Sequence, residues 1–123
     1  MNQTRIVGKR ILLVEDERWV RECIKRLLWL DAHTVTEASN GLEAIELFAH
    51  EPFDVVITDF DMPRMAGDEL VARIRNQSPA QPILMITAGI DRLRGQDNPA
   101  SAVLGKPFGV QELRDSLASL FAA

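Results

Sequence analysis

The sequence predicts an α/β fold built on a doubly wound, five-stranded parallel sheet, and three observations carry that expectation. The runs Ile11-Leu12-Leu13-Val14, Val55-Val56-Ile57-Thr58 and Ile83-Leu84-Met85-Ile86 are short and nearly all apolar, as strands buried on both faces are. Stretches with apolar residues at helical spacing alternate with them, the order produced by strand–helix–strand crossovers. The strand-like runs also end on polar residues of matching chemistry, which a parallel sheet would collect along one edge.

Size and composition set the limits. At 123 residues the chain holds one ordinary domain and is too short for two. Its hydrophobic fraction of 46% and charged fraction of 26% are those of a globular protein. A net charge of -4 with no Lys/Arg block argues against a nucleic-acid surface. No apolar run approaches the roughly 18 residues that span a bilayer. Residues 1–8 lack the apolar centre of a signal peptide, so neither membrane nor secretion is expected. The single cysteine, Cys23, rules out an internal disulfide and points to a reducing cytoplasm.

Taken in order, Ile11 to Val14 is the first strand, ending on Glu15-Asp16-Glu17. Over residues 18–30, Val20, Cys23, Ile24, Leu27 and Leu28 recur at helical spacing and define a core-facing stripe. Thr34-Val35-Thr36-Glu37-Ala38 alternates as a strand does, and Asn40-Gly41 turns the chain into a helix over residues 42–50, stopped at Glu51-Pro52. The third strand ends on Asp59, and a helix over residues 68–76 places Leu70, Val71 and Ile74 on one side. Pro79 and Pro82 lead into the strand Ile83 to Thr87; Ala102-Val103-Leu104-Gly105 is a fifth, before Lys106-Pro107-Phe108. A last helix over residues 110–121 turns Leu113, Leu117, Leu120 and Phe121 inward. Between Thr87 and Lys106, residues 89–99 carry two glycines and a proline, so the fourth helix is expected to be short or irregular.

The strand ends carry the chemistry. Glu15, Asp16 and Asp59 would repel one another on a shared edge unless one stayed protonated or a cation lay between them. Mg²⁺ suits such a set, because it binds a few carboxylates and keeps several waters. The backbone carbonyl of Asp61 is a plausible further ligand. Thr87 and Lys106 bring a hydroxyl and an ammonium to the same edge, both able to receive phosphoryl oxygens. A nucleophilic carboxylate, a screening metal and these donors together read as phosphoryl transfer.

These residues resemble the receiver domain of two-component response regulators, the family of the CheY proteins. The resemblance rests on Leu12-Leu13-Val14-Glu15-Asp16-Glu17, Asp59-Phe60-Asp61-Met62-Pro63 with Gly67, Thr87-Ala88 and Lys106-Pro107-Phe108. It implies the flavodoxin-like strand order 2-1-3-4-5, for which the CheY fold is a standard example. It further implies a receiver domain over residues 9–123 behind an N-terminal tail of residues 1–8. Asp59 would accept a phosphoryl group from a histidine kinase or histidine phosphotransfer protein. Glu15, Asp16, Asp59 and the Asp61 carbonyl would hold Mg²⁺, and Thr87 and Lys106 would bind the phosphoryl oxygens. A cis Lys106-Pro107 peptide is also implied. Two features depart from the family pattern: Val103 stands where an aromatic ring is usual, and the interval from Thr87 to Lys106 is about one helical turn short.

The expected role is therefore a signalling module rather than an enzyme. A receiver-fold interaction module that does not switch by phosphorylation is the alternative. A haloacid-dehalogenase-type phosphohydrolase is a weaker one, since Asp59-Phe60-Asp61 has its DxD form but ends the third strand rather than the first. With no effector sequence after Phe121-Ala122-Ala123, the chain reads as a stand-alone receiver or as one part of a longer protein. Cys23 is expected in the core, and His33 and His50 on the surface. Trp19 and Trp29, off the apolar stripe, are expected either against neighbouring loops or as a contact surface for a kinase or a second copy in a homodimer.

Overall fold

The computed structural model describes residues 6–89 and 100–121. Its elements are β1 (Arg10–Val14), α1 (Arg18–Trp29), β2 (Thr34–Ala38), α2 (Gly41–His50), β3 (Val55–Asp59), α3 (Gly67–Gln77), β4 (Ile83–Thr87), β5 (Ala102–Gly105) and α4 (Val110–Phe121). All four strand pairings are parallel, and the order is β2-β1-β3-β4-β5, the doubly wound arrangement expected. Apart from Gly89, the short or irregular helix expected at residues 89–99 lies outside the described residues.

Strand alternation divides the core in two. Ile11, Leu13, Val55, Ile57, Leu84 and Ile86 point to one face, where Ile24, Leu28, Leu113 and Leu117 of α1 and α4 cover them. Leu12, Val14, Val56, Ile83 and Met85 point to the other, under Ala44, Leu70, Val71 and Ile74 of α2 and α3. The central strands β3 and β4 are buried at every residue, whereas edge strand β5 is only half-buried throughout.

Local signals set the helix ends. The Asn40 side chain accepts from the Glu43 N–H at 2.8 Å, and Glu43 returns the contact to the Ser39 N–H at 2.6 Å. This reciprocal cap starts α2 one residue earlier than its apolar spacing suggests.

Two expectations are corrected. Cys23 is exposed rather than part of the core. Ile24 and Leu28 form the buried line of α1, and Cys23 lies about 100° round the helix from Ile24, at the margin of the stripe. His33 is 5% exposed, hence buried, where a surface position was expected. Its Nδ1 accepts from the Lys9 N–H at 3.0 Å while the Thr34 N–H donates to the Lys9 carbonyl at 2.9 Å, so the ring extends the β1–β2 pairing beyond the strands. His50 is exposed as expected. Trp19 is 81% exposed and Trp29 53% exposed, and a Lys25 ammonium lies 5.0 Å from the Trp29 ring. No helix among the described residues is long and apolar enough to cross a membrane.

Candidate functional site

The register brings the expected residues to one edge. Val14 lies opposite Thr58, and Asp59 opposite Ile86, so Glu15 and Asp59 leave neighbouring strands at the same level. Thr87 pairs with Gly105, so Thr87 and Lys106 sit at the ends of the next two strands. By the same alternation Glu15, Asp59 and Lys106 continue the face covered by α1 and α4, whereas Thr87 and Val103 continue the other.

Glu15, Asp16 and Asp59 each offer a carboxylate oxygen within 4.8 Å of the others. The Lys106 ammonium reaches into this group, 3.3 Å from Glu15 Oε1 and 3.1 Å from Asp59 Oδ1. Glu15 is held further by the Glu17 N–H, which donates to Oε2 at 3.1 Å. Asp59 is less well served. Its Oδ1 is buried, and the Lys106 ion pair at 3.1 Å is its one close contact with a cation among the described residues. The Thr87 hydroxyl accepts from the Gly89 N–H at 3.0 Å. Asp61 is exposed in the loop that follows β3. The Lys106-Pro107 peptide is cis, as the resemblance implies.

The loop from Asp59 to α3 is tightly drawn. The Gly67 N–H donates to the Phe60 carbonyl at 2.9 Å. A Cβ on Gly67 would lie 2.5 Å from the Asp59 carbonyl oxygen and 2.8 Å from Phe60 Cα, so a side chain is excluded there. Met62 and Met65 are buried beneath the loop, and Arg64 adopts a φ of 71°, uncommon away from glycine.

The electrostatics follow from enclosure. Burial pushes the Asp59 carboxyl above its usual value; Lys106 pulls it back, while the charges of Asp61 and Asp16 push it up again. Burial likewise raises Glu15, opposed by the Glu17 N–H and reinforced by Asp59. For Lys106 burial acts downward, but Asp59 and Glu15 outweigh it and the ammonium is held above its ordinary value. One ammonium among three carboxylates leaves an excess of negative charge. An all-oxygen donor set with that excess of negative charge, two of its three carboxylates buried, suits a hard divalent cation.

The site includes residues that sequence reasoning missed. Arg21, from α1, donates through Nη1 to the main-chain carbonyl of Glu15 at 2.7 Å and through Nε to Glu37 at 3.1 Å. The available signal was Glu37, an acid in an otherwise Thr/Val/Ala strand, with Arg21 and Lys25 spaced one helical turn apart.

Comparison with known proteins agrees with this geometry. The profile of the response regulator receiver domain matches residues 11–118. The response regulator MprA of Mycobacterium ulcerans is 39% identical over 107 residues, covering 85% of this chain and 46% of the relative. MprA of Mycobacterium leprae is 38% identical over the same length, again with 85% of this chain and 47% of the relative covered. The chain thus spans about half the length of these relatives. Among solved structures, response regulator TrrA of Thermotoga maritima, in complex with Mg²⁺-BeF, superposes with a TM-score of 0.86 at 32% identity, covering 92% of this chain and 99% of that one. Chemotaxis response regulator CheY4 of Vibrio cholerae gives 0.83 at 30% identity, with 94% and 100% covered.

Proposed function

This chain belongs to the response regulator receiver domain family, and on that premise we propose that Asp59 is its phospho-accepting carboxylate. The donor is a phosphohistidine on a histidine kinase or histidine phosphotransfer protein, and the metal is Mg²⁺. The observation that carries this reading is the state of Asp59: buried, paired through Oδ1 with Lys106 at 3.1 Å, and with a carboxylate oxygen within 4.8 Å of those of Glu15 and Asp16.

An Asp59 carboxylate oxygen attacks phosphorus as the P–N bond breaks, its electron pair staying on a donor ring protonated at its other nitrogen, which leaves an acyl phosphate on Asp59 and a neutral imidazole on the donor. Glu15, Asp16, Asp59 and the Asp61 main-chain carbonyl hold the metal, which when bound screens the charge between carboxylate and phosphoryl oxygens. Lys106 neutralises one phosphoryl oxygen while keeping its pairing with Glu15, and the Thr87 hydroxyl takes another. The exposed Asp61 side chain, two residues after Asp59, bears on hydrolysis of the acyl phosphate. Residues 9–123 act as the receiver unit, in the cytoplasm where such donors present their phosphohistidine.

The donor docks across α1. Trp19 stands exposed there, and Val20, Cys23, Leu27, Pro107 and Phe108 line an adjoining groove of about 270 Å³ that reaches Lys106. Val103, packed on the α2/α3 side of the sheet, provides no ring to reorient, so the output of the phosphorylated state runs through other contacts.

Asp59→Asn tests the reading. The wild-type chain takes label from a small-molecule phosphodonor in the presence of Mg²⁺, and the variant takes none. Label persisting at the same position in the variant would end the proposal.

A further inference from the structure

We propose that Arg21 is a positioning residue for the metal site, acting on the peptide between Glu15 and Asp16; the inference rests on reading those two residues as metal ligands. Arg21 has no hydrogen bond to any of the three carboxylates of the cluster. Its Nη1 donates to the Glu15 carbonyl at 2.7 Å and its Nε to Glu37 Oε1 at 3.1 Å. Glu37 is fixed in turn by the Lys25 ammonium, 3.0 Å from its Oε2, and Lys25 lies 2.7 Å from Glu22. The guanidinium is anchored from two sides, and the Arg21 side chain is only 17% exposed.

An arginine used for an ordinary surface ion pair leaves most of its donors in water and contributes little. This one spends its shortest contact on a main-chain oxygen where the chain turns out of the sheet. The Glu15 N–H is already tied to the Ala38 carbonyl at 3.0 Å. With its carbonyl tied as well, the planar peptide that follows is oriented, and with it the position of the Asp16 Cα and the direction of its N–Cα bond. The Glu15 carboxylate is separately held by Glu17 and Lys106, but Asp16 is the half-buried member of the trio. Arg21 therefore bears chiefly on where the backbone places Asp16 at the cluster. Residues that orient metal ligands typically change metal affinity by about 10–100-fold when removed.

The test measures Mg²⁺ dissociation constants by titration calorimetry on the whole chain, for wild type, Arg21→Ala, Arg21→Lys and Glu37→Gln, beside the thermal midpoint of each in chelator. Arg21→Ala is expected to bind Mg²⁺ about 10–100-fold more weakly. Arg21→Lys recovers part of the loss, because an ammonium can reach the carbonyl without the second anchor. Glu37→Gln, which keeps the guanidinium and weakens its anchor, gives a smaller loss in the same direction. Wild-type Mg²⁺ affinity in a folded Arg21→Ala overturns the proposal. If Arg21→Ala does not fold, Glu37→Gln decides: weakened binding with an unshifted midpoint supports the clamp, and unchanged binding overturns it. A wild-type chain that binds no Mg²⁺ overturns the metal reading of the acidic cluster itself, and the clamp with it.

Discussion

Asp59 Oδ1 and His33 Nε2 are the buried side-chain atoms left without a hydrogen-bond partner among the described residues, and they lie at opposite ends of one sheet. At the amino end, the neighbouring acid is paired. His33 Nδ1 accepts from Lys9, and beside it Asp31 takes a two-pronged pair from Arg114 at 2.9 and 3.1 Å. At the carboxyl end the unpartnered atom belongs to an acid facing two more acids and a single ammonium. An unsatisfied buried atom is thus not by itself a mark of function. It becomes one where surrounding groups share its sign and converge on the same space.

Opposite substitutions should separate the two ends most strongly. His33→Ala removes core volume and the acceptor of the Lys9 N–H, and is expected to destabilise by about 2 kcal/mol in urea denaturation. Asp59→Asn removes a charge that burial disfavours, and in chelator is expected to stabilise by about 1 kcal/mol. If Asp59→Asn were as damaging as His33→Ala, the contrast between the ends would fail.

Acid should then shrink both differences. Burial lowers the His33 pKa from 6.5 despite the opposing charge of Asp31, with Lys9 lowering it a little further. A depressed folded value means that the ring's contribution is complete above 6.5 and is lost as pH falls through the folded value, because the unfolded chain takes the proton first. The gap between wild type and His33→Ala should narrow below that pH. Asp59 has a raised folded value, so wild type gains stability as pH falls through it and on towards 3.8. The advantage of Asp59→Asn over wild type should narrow in that interval. Denaturation curves at a series of pH values in chelator measure both, and an advantage that widens with acid would contradict the assignment for Asp59.

The smallest stability effect is expected at Trp19, outside both ends. With 81% of its surface exposed, Trp19→Ala should change stability by no more than about 0.5 kcal/mol. It should slow transfer from a cognate phosphohistidine donor about tenfold, the loss of one modest contact residue, and leave small-molecule labelling alone. Equal slowing with both donors would place Trp19 in the chemistry rather than at the docking face.

Much of the sheet was legible in the sequence because strands buried on both faces leave unbroken apolar runs, as Val55 to Ile57 and Ile83 to Ile86 do. The carboxyl edge was legible for a related reason: parallel strands put their ends together, so Glu15, Asp59 and Lys106 could be associated across the chain. Periodicity was less informative at the margin of a stripe, where one residue of rotation put Cys23 outside. It was uninformative for His33, whose burial depends on a backbone N–H supplied by Lys9. Arg21 was missed because its partner is a carbonyl, which every residue has and no sequence displays.

The Lys106–Glu15 contact joins residues 91 positions apart. Closing so long a loop costs entropy that early folding events do not recover, and the contact cannot exist until β5 has docked at the sheet edge. In a chain whose last strand has not docked, Asp59 has no Lys106 beside it. The full cluster is thereby a late product of folding, and a chain that has misassembled its last strand lacks the one ammonium that faces the three acids. On the proposed reading, competence to receive a message is tied through topology to completion of the domain.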